Sequence, residues 1–208
     1  MERPACIPLF PLDVVLLPQM PLPLHIFEPR YKVMIQRCLG EKIEFGMILA
    51  TGQGIATVGC MAEIVSKVRD YSDGRIDIVA EGRAIFRLEH LLDEKQYYEG
   101  RVEYLQDTPY SRDAEKESKL LGGFAECHEL LAGRAWAGAS EQELPILAYH
   151  LAAQLPVELE TRQVLLETRS ESERRDVLLR WIADFLPKLK ERQRVQRRPS
   201  GNGHAYLN

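Results

Sequence analysis

The spacing of the apolar residues changes once along this 208-residue chain, close to Asp107. Before that point, short apolar runs alternate with polar residues and prolines interrupt the first run, which is typical of strands. After it, apolar residues recur every three or four positions, as on one face of a helix. The sequence therefore predicts an α+β chain, with an antiparallel barrel or curled sheet followed by a bundle of about four helices.

The strand half also carries signals for a turn, a bulge and one helix. Ser-Asp-Gly at 72–74 is a typical hairpin turn between two alternating runs. Gly82 is predicted to mark a bulge. Pro29 begins a short amphipathic pattern that ends at Gly40, which predicts a helix within this half.

Three capping patterns indicate where helices begin in the second half. Ser111 is a candidate cap, and the pairs Ser140 with Glu143 and Ser170 with Glu173 have the spacing of capping boxes. These signals divide the chain into a β-rich subdomain at 1–108 and a helical bundle subdomain at 109–194. The remainder, 195–208, has neither a core pattern nor caps, and it is predicted to be a basic, polar tail.

Charge is unevenly distributed along the chain. Residues 188–198 contain six basic residues and one acidic residue, so this segment carries +5 while the total of −4 leaves −9 for the rest. An acidic body repels a phosphate backbone, so nucleic acid is not expected to bind it. No apolar run approaches the roughly 20 residues that span a bilayer, and prolines interrupt the N-terminus, so a cytoplasmic protein without membrane contact is expected.

The sequence offers no recognised catalytic, metal or cofactor motif. The dipeptide Gly-Lys of a phosphate-binding loop does not occur, and neither a GxSxG nor an HExxH pattern is present. Ser66 and Lys67 are neighbours on a predicted strand, so their side chains point to opposite faces and cannot form a dyad. We therefore predict that the chain is not an enzyme and binds no metal or cofactor.

Four cysteines are spread through the chain, and none forms a CxxC pair. In a chain without export signals they are predicted to be free thiols that behave as small buried hydrophobic residues. They are Cys6, Cys38, Cys60 and Cys127.

Four sequence blocks in order resemble a known family. They are 8–31, 57–65, 73–88 and 155–179, the first reading PLFPLDVVLLPQMPLPLHIFEPRY. Together they resemble the Lon substrate-binding (N-terminal) domain family, also called the LON domain, which occurs in Lon proteases and in stand-alone bacterial proteins. The resemblance covers about 190 residues and implies a PUA-like antiparallel β pseudobarrel followed by a C-terminal helical bundle.

The resemblance also implies a function. In Lon proteases this region recognises unfolded or tagged substrates, while separate ATPase (Walker A) and Ser-Lys peptidase parts do the chemistry. We therefore expect a non-catalytic module that binds unfolded or peptide protein clients, for instance as an adaptor for a separate protease. The alternative is RNA binding through the PUA-like fold and the basic C-terminal segment. The sequence predicts no oligomeric state.

Client binding that tolerates many sequences favours apolar grooves and exposed strand edges. Adaptable methionine and amphipathic tyrosine side chains suit such surfaces. The opposing interpretation, that most of these side chains pack the barrel or its seam with the bundle, stays open. The candidate contacts at the barrel surface are Met20, Leu22, Tyr31, Tyr71, Tyr97 and Tyr98.

Overall fold

The structure, a computed structural model, describes residues 4–196, apart from the side chains of Glu141 and Gln196. Six strands form a single sheet: β1 (Cys6–Leu12), β2 (Pro21–Ile26), β3 (Phe45–Thr51), β4 (Gly54–Asp70), β5 (Ile76–Leu92) and β6 (Glu99–Leu105). The helices are α1 (Pro29–Glu41), α2 (Ala114–Ala132), a 3-10 helix (Glu141–Ile146), α3 (Leu147–Ala153), α4 (Leu159–Glu167) and α5 (Glu171–Gln196). The α+β order, with strands first and a helical bundle second, is confirmed.

The sheet closes into a barrel. Its strand order is β2-β5-β4-β3-β1-β6, and β6 also pairs with the second half of β5. Strand β2 pairs with the first half of β5 and lies outside the closed ring. The expectation of purely antiparallel pairing is wrong for one pair: β1 and β3 run parallel, with Leu9 opposite Gly46. The connection between them contains β2 and α1, which is the long crossover that parallel neighbours require.

A small apolar core fills the barrel, and two glycines make room for its largest ring. A Cβ on Gly59 would lie 2.4 Å from Cζ of Phe86, and one on Gly46 would lie 2.8 Å from the same atom. Larger residues at these positions would displace the phenyl ring from the centre of the barrel. The buried members of this core are Ile7, Leu9, Ile48, Met61, Phe86 and Val102.

Gly82 is a bulge position, as predicted, and the structure shows why it has no side chain. The β4–β5 register shifts beside it. Its N–H donates to Met20 O at 3.1 Å, and its carbonyl accepts from Gln19 N at 2.8 Å. A Cβ there would lie 2.1 Å from the carbonyl oxygen of Leu17. The chain entering β2 therefore crosses directly over this residue.

A second, larger core lies outside the barrel and continues into the bundle. Buried residues of α1, such as Met34 and Ile35, belong to the same cluster as Phe124 of α2 and Leu178 of α5. The predicted boundary at residue 108 falls in the connection between β6 and α2. The division of the chain into two subdomains at this point stays a prediction. Of the predicted tail, 195–208, only residues 195 and 196 lie within the described part, where they end α5.

Two helix ends lie one or two residues away from their predicted positions. Helix α1 continues past Gly40 to Glu41, and Lys42 then takes the left-handed conformation with φ of 54°. Helix α2 is capped by Asp113, whose Oδ1 accepts from Lys116 N at 3.0 Å, and not by Ser111. Aspartate is as good a cap as serine, so the local pattern could not decide between them.

The two predicted capping boxes lie at helix starts. Ser140 N donates to Glu143 Oε2 at 2.5 Å at the beginning of the 3-10 helix. That helix passes into α3 after Pro145, whose missing N–H interrupts α-helical hydrogen bonding. Ser170 Oγ accepts from Glu173 N at 3.5 Å at the start of α5. The Ser140 capping box is therefore followed by two short helices in succession.

A buried ion-pair network ties the bundle together. Glu171 is 3% exposed and Arg174 and Arg175 are 0% and 1% exposed. Glu171 Oε2 accepts from Arg174 Nε and its Oε1 from Arg175 Nε, both at 3.0 Å. Oε1 also accepts from Ala148 N of α3 at 2.9 Å. Burial raises the pKa of Glu171, while the Ala148 N–H and the two guanidinium groups oppose that rise.

The two arginines extend this network to other elements. Arg174 pairs with Asp107, in the connection after β6, at 2.7 Å, and it donates to Thr168 O at 2.9 Å. Arg175 donates to Leu144 O of the 3-10 helix at 2.6 Å. One carboxylate therefore fixes the start of α5 against the 3-10 helix, α3 and the barrel connection.

We expect Glu171→Ala to lower the free energy of unfolding by about 3–5 kcal/mol, because it leaves two buried guanidinium groups without their shared carboxylate. Urea unfolding followed by circular dichroism measures this. Glu115→Ala is the control, since its ion pair with Lys119 is exposed to solvent and should contribute little to stability. Equal effects from both substitutions would contradict the role given to Glu171.

The four thiols are free, and three are buried while Cys6 is exposed. Burial raises the pKa of Cys38 and Cys60 to about 12 and that of Cys127 to about 11. Because the thiolate is the reactive form, we expect iodoacetamide to label Cys6 alone in the folded protein and all four in urea. Peptide mass spectrometry reads the sites. Rapid labelling of Cys60 in the folded state would contradict this prediction.

Candidate functional site

Three strand segments project beyond the barrel and form what we call the arm: β2, residues 63–70 of β4 and residues 76–81 of β5. Pairing of β3 with β4 ends at Phe45 opposite Ala62. Beyond that point β4 pairs only with β5 among the described residues, and β5 pairs in turn with β2. The arm is thus a three-stranded antiparallel ribbon with two free edges.

Both edges of the arm are poor templates for an added strand. Leu22 lies opposite Ala80, and Gly82 N donates to Met20 O. The even-numbered residues of β2 therefore point their backbone N–H and C=O groups toward β5, and the odd-numbered residues point theirs away from it. The nitrogens of Pro21 and Pro23 therefore face outward, where they cannot donate. On β4 the register shifts at the positions of Val65 and Val68, and such bulges interrupt an edge.

The face of the arm that points away from the core carries a fixed polar network. Asp77 Oδ1 lies 2.5 Å from His25 Nδ1, and its Oδ2 accepts from the Tyr71 hydroxyl at 2.7 Å. The hydrogen bond from His25, followed by that from Tyr71, lowers the pKa of Asp77. The guanidinium carbons of Arg69 and Arg75 lie 4.7 and 4.9 Å from the Tyr71 ring centroid. These contacts hold the Tyr71 ring in one orientation.

A histidine beside an aspartate can serve as a catalytic base, but it needs a nucleophile. The described contacts of His25 are with Asp77, Phe27 and Tyr71. None of these brings a serine, threonine or cysteine side chain to the imidazole. In the described part of the chain, the contacts of this pair order the surface around Tyr71.

Large apolar side chains are exposed on the arm and directly after its strand β2. Phe27, just after β2, is 59% exposed and stacks on His25 with ring centroids 6.0 Å apart. Val65 and Val68, at the two bulges of β4, are 46% and 63% exposed. These three exposed side chains lie on the arm or at its end, which makes the arm a candidate contact surface.

The structure separates the six residues predicted from the sequence. Tyr71 lies on the outward face of the arm. Leu22 is on the arm and Met20 directly precedes it, but both are half-buried and pack against the large core. Tyr31 and Tyr97 are 3% and 6% exposed.

The expectation that Tyr31 and Tyr97 lie at the barrel surface is wrong, since both pack in the large core. The Tyr97 hydroxyl accepts from Arg37 of α1 at 3.0 Å. Tyr98 is half-buried against the barrel core. A role in peptide binding for any of the six stays a prediction.

Sequence reasoning missed Phe27, Val65 and Val68. A signal was present for Val65, because Ile64 and Val65 are adjacent apolar residues between the polar residues Glu63 and Ser66, which a bulge explains. Phe27 lies between the end of a strand and the start of a helix. Neither the two-residue period of a strand nor the 3.6-residue period of a helix therefore predicts whether its side chain is buried. His25 and Asp77 are 52 residues apart, so only strand pairing brings them together.

A separate cleft of about 400 Å³ lies between the barrel and the bundle. Arg83, Asp107, Tyr149 and Arg169 line it together with apolar and backbone groups. Asp107 lies 3.3 Å from Arg169, and Arg83 lies 2.6 Å from Glu63 outside the cleft, so the charged groups of the cleft already have partners. Within residues 4–196 there is no group of three potential ligands that could hold a metal ion. Among the helices in that range, none has the length and hydropathy to cross a bilayer.

Comparison with known proteins supports the fold and the family. Residues 6–184 match the family model described as the ATP-dependent protease La (LON) substrate-binding domain. Lon protease of Escherichia coli K12 is 26% identical over an alignment of 212 positions, which covers 92% of this chain and 26% of that protein. Lon protease of Parabacteroides distasonis is 29% identical over 140 positions, covering 58% of this chain and 17% of that protein. The chain thus spans about a quarter or less of the length of these relatives.

Two solved structures share the fold. A Lon N-terminal domain protein from Xanthomonas campestris superposes with a TM-score of 0.68 at 24% identity, over 85% of this chain and 98% of that one. The N-terminal domain of Lon protease from the Mycobacterium avium complex superposes with a TM-score of 0.64 at 16% identity, over 86% and 98%. With the family match reaching from β1 to Asp184 of α5, the chain belongs to the LON substrate-binding domain family.

Proposed function

We propose that this chain binds unfolded or peptide-like protein clients on the outward face and rim of the arm, and that it does not cut them. The observation that carries the proposal is the exposure of Val65 and Val68 on the arm and of Phe27 directly after strand β2. Burying a side chain of this size contributes roughly 1.5–3 kcal/mol, so two or three such contacts give weak, reversible binding.

The chemistry of the arm suits tolerance of many client sequences. Because the edge of β2 is blunted by Pro21 and Pro23 and that of β4 by its two bulges, a client gains few backbone hydrogen bonds. Recognition then depends on apolar side chains of the client. Unfolded polypeptides expose such side chains, whereas folded proteins bury most of them.

The polar network prepares the surface for binding. Tyr71, His25 and Asp77 hold one another by hydrogen bonds of 2.5 and 2.7 Å, so few side chains must be ordered when a client arrives. A surface that is already ordered loses less entropy on association. The network is also close to Phe27, and it provides a polar border for an apolar contact.

Delivery of clients to a separate protease is part of the same proposal. Its support is that the family description names substrate binding and that the relatives are proteases. A cytoplasmic location stays a prediction from the sequence. The RNA-binding alternative depends on the basic segment 188–198, part of which lies outside the described residues, and no described contact favours it.

We expect the double variant Phe27→Ser, Val68→Ser to weaken binding of a fluorescently labelled, permanently unfolded casein by about tenfold, since about 1.4 kcal/mol of apolar contact is lost. Fluorescence anisotropy measures the Kd. Leu91→Ser is the matched control, because Leu91 is an apolar side chain of β5 that is 43% exposed and lies outside the arm. The proposal fails if the double variant binds as the parent does, or if the control loses as much.

We also expect the purified chain neither to hydrolyse ATP nor to cleave casein, alone or together. Release of phosphate and the appearance of casein fragments are the two measurements, with an intact ATP-dependent protease as positive control. Turnover that co-purifies with the protein through two different columns would contradict the non-catalytic assignment.

A further inference from the structure

The charged side chains of the arm are distributed unevenly between its two ends. At the end next to the barrel, Glu63 and Glu81 both pair with Arg83, so two carboxylates share one cation. The far end is what we call the arm tip, residues 67–77 together with Lys32 of α1, whose ammonium group donates to the backbone of the hairpin turn at 3.0 Å. The end next to the barrel therefore carries an excess of negative charge.

The carboxylates of the arm tip are outnumbered by its cations and already have partners. Asp70 Oδ2 lies 2.7 Å from Lys67 Nζ, and Asp73 Oδ2 lies 2.7 Å from Arg75 Nε. Both oxygens of Asp77 belong to the polar network. The arm tip thus has one more positive than negative group. Its cationic side chains are Lys32, Lys67, Arg69 and Arg75.

Arg69 is an exposed cation of the arm tip, and its side chain stacks on an aromatic ring. Within residues 4–196, no carboxylate lies at ion-pair distance from its guanidinium group, whose carbon lies 4.7 Å from the Tyr71 ring centroid. The hydrogen bond from His25, followed by that from Tyr71, lowers the pKa of Asp77. The nearby charge of Arg69 adds to this effect. A guanidinium group held against a ring keeps its N–H donors in a defined plane, which suits an incoming carboxylate.

Strand pairing places Arg69 beside the exposed apolar side chains of the arm. Arg69 lies opposite Asp77 and Asp77 lies opposite His25, so the three form a row across the ribbon. Neighbouring strands are about 4.8 Å apart, which puts Arg69 about 10 Å from His25. Phe27 stacks on His25, and Val68 directly precedes Arg69. An extended client gains about 3.3 Å per residue, so about three residues span the row.

We propose that the arm favours clients in which a carboxylate lies within about three residues of a large apolar side chain, and that Arg69 binds this carboxylate. The inference rests on the proposed function and adds a chemical class of client to it. Charges more than about 10 Å away are largely screened at physiological ionic strength. The local excess of positive charge at the arm tip therefore outweighs the negative charge of the rest of the chain.

Three labelled peptides that differ only in their flanks test this proposal. Each has the same core of Phe and Leu in a Gly-Ser background, and the core is flanked by Glu, by Gln or by Lys. At low ionic strength we expect the protein to bind the Glu-flanked peptide about threefold more tightly than the Gln-flanked one, because an exposed ion pair contributes modestly. The Lys-flanked peptide should bind most weakly. Fluorescence anisotropy measures the Kd values, and high salt should remove the differences.

Variants of Arg69 separate recognition of charge from apolar binding. Arg69→Gln should bind the Glu-flanked and Gln-flanked peptides equally, with the Kd of the parent for the Gln-flanked one. Arg69→Lys keeps the charge and should keep the preference. Arg101→Gln is the matched control, because Arg101 is an exposed arginine of β6 outside the arm, and it should also keep the preference. Circular dichroism establishes that every variant is folded.

The outcomes distinguish this inference from the proposed function. Equal binding of the Glu-flanked and Gln-flanked peptides by the parent would overturn the inference while client binding stands. A preference that survives Arg69→Gln, or that Arg101→Gln removes as fully, would overturn it as well. If none of the three peptides binds at all, the proposed function fails and the inference fails with it.

Discussion

Glu171 holds the guanidinium groups of Arg174 and Arg175 inside the bundle, where water does not reach them. A buried charge of this kind is tolerated only while its partners stay in place. The same carboxylate accepts from the backbone of Ala148, and Arg174 reaches Asp107 just after the last strand. The orientation of α5, the position of α3 and the passage from barrel to bundle therefore depend on one another.

The charged residues of the interior form ion pairs with one another. Arg169, at the cleft between barrel and bundle, pairs with Asp107, and Arg175 lies 3.7 Å from Glu117 of α2. Positive and negative groups are matched within the cluster, which is how buried ions remain stable. The rigid base that results supports the arm, where exposed apolar side chains lie on the same ribbon as a polar network.

A short hydrogen bond fixes an aromatic ring in each half of the molecule. Asp77 accepts from the Tyr71 hydroxyl at the arm, and Glu158 accepts from the Trp181 indole on the bundle. The apolar area beside the ring is then available without a further loss of side-chain entropy. On the arm, prolines and bulges also limit pairing with another strand, which favours reversible contact over aggregation.

Local sequence determined the α+β order, the turn at 72–74, the bulge at Gly82 and the caps at Ser140 and Ser170, because each depends on the spacing of neighbouring residues. Only the tertiary structure decided the parallel pairing of β1 with β3 and the closure of the barrel, which join residues far apart in the chain. The tertiary structure also decided which side chains are exposed. Tyr31 and Tyr71 are the same residue type, yet α1 buries the first in the core and the ribbon leaves the second on its outward face. Burial depends on which elements pack together, and no local pattern contains that information.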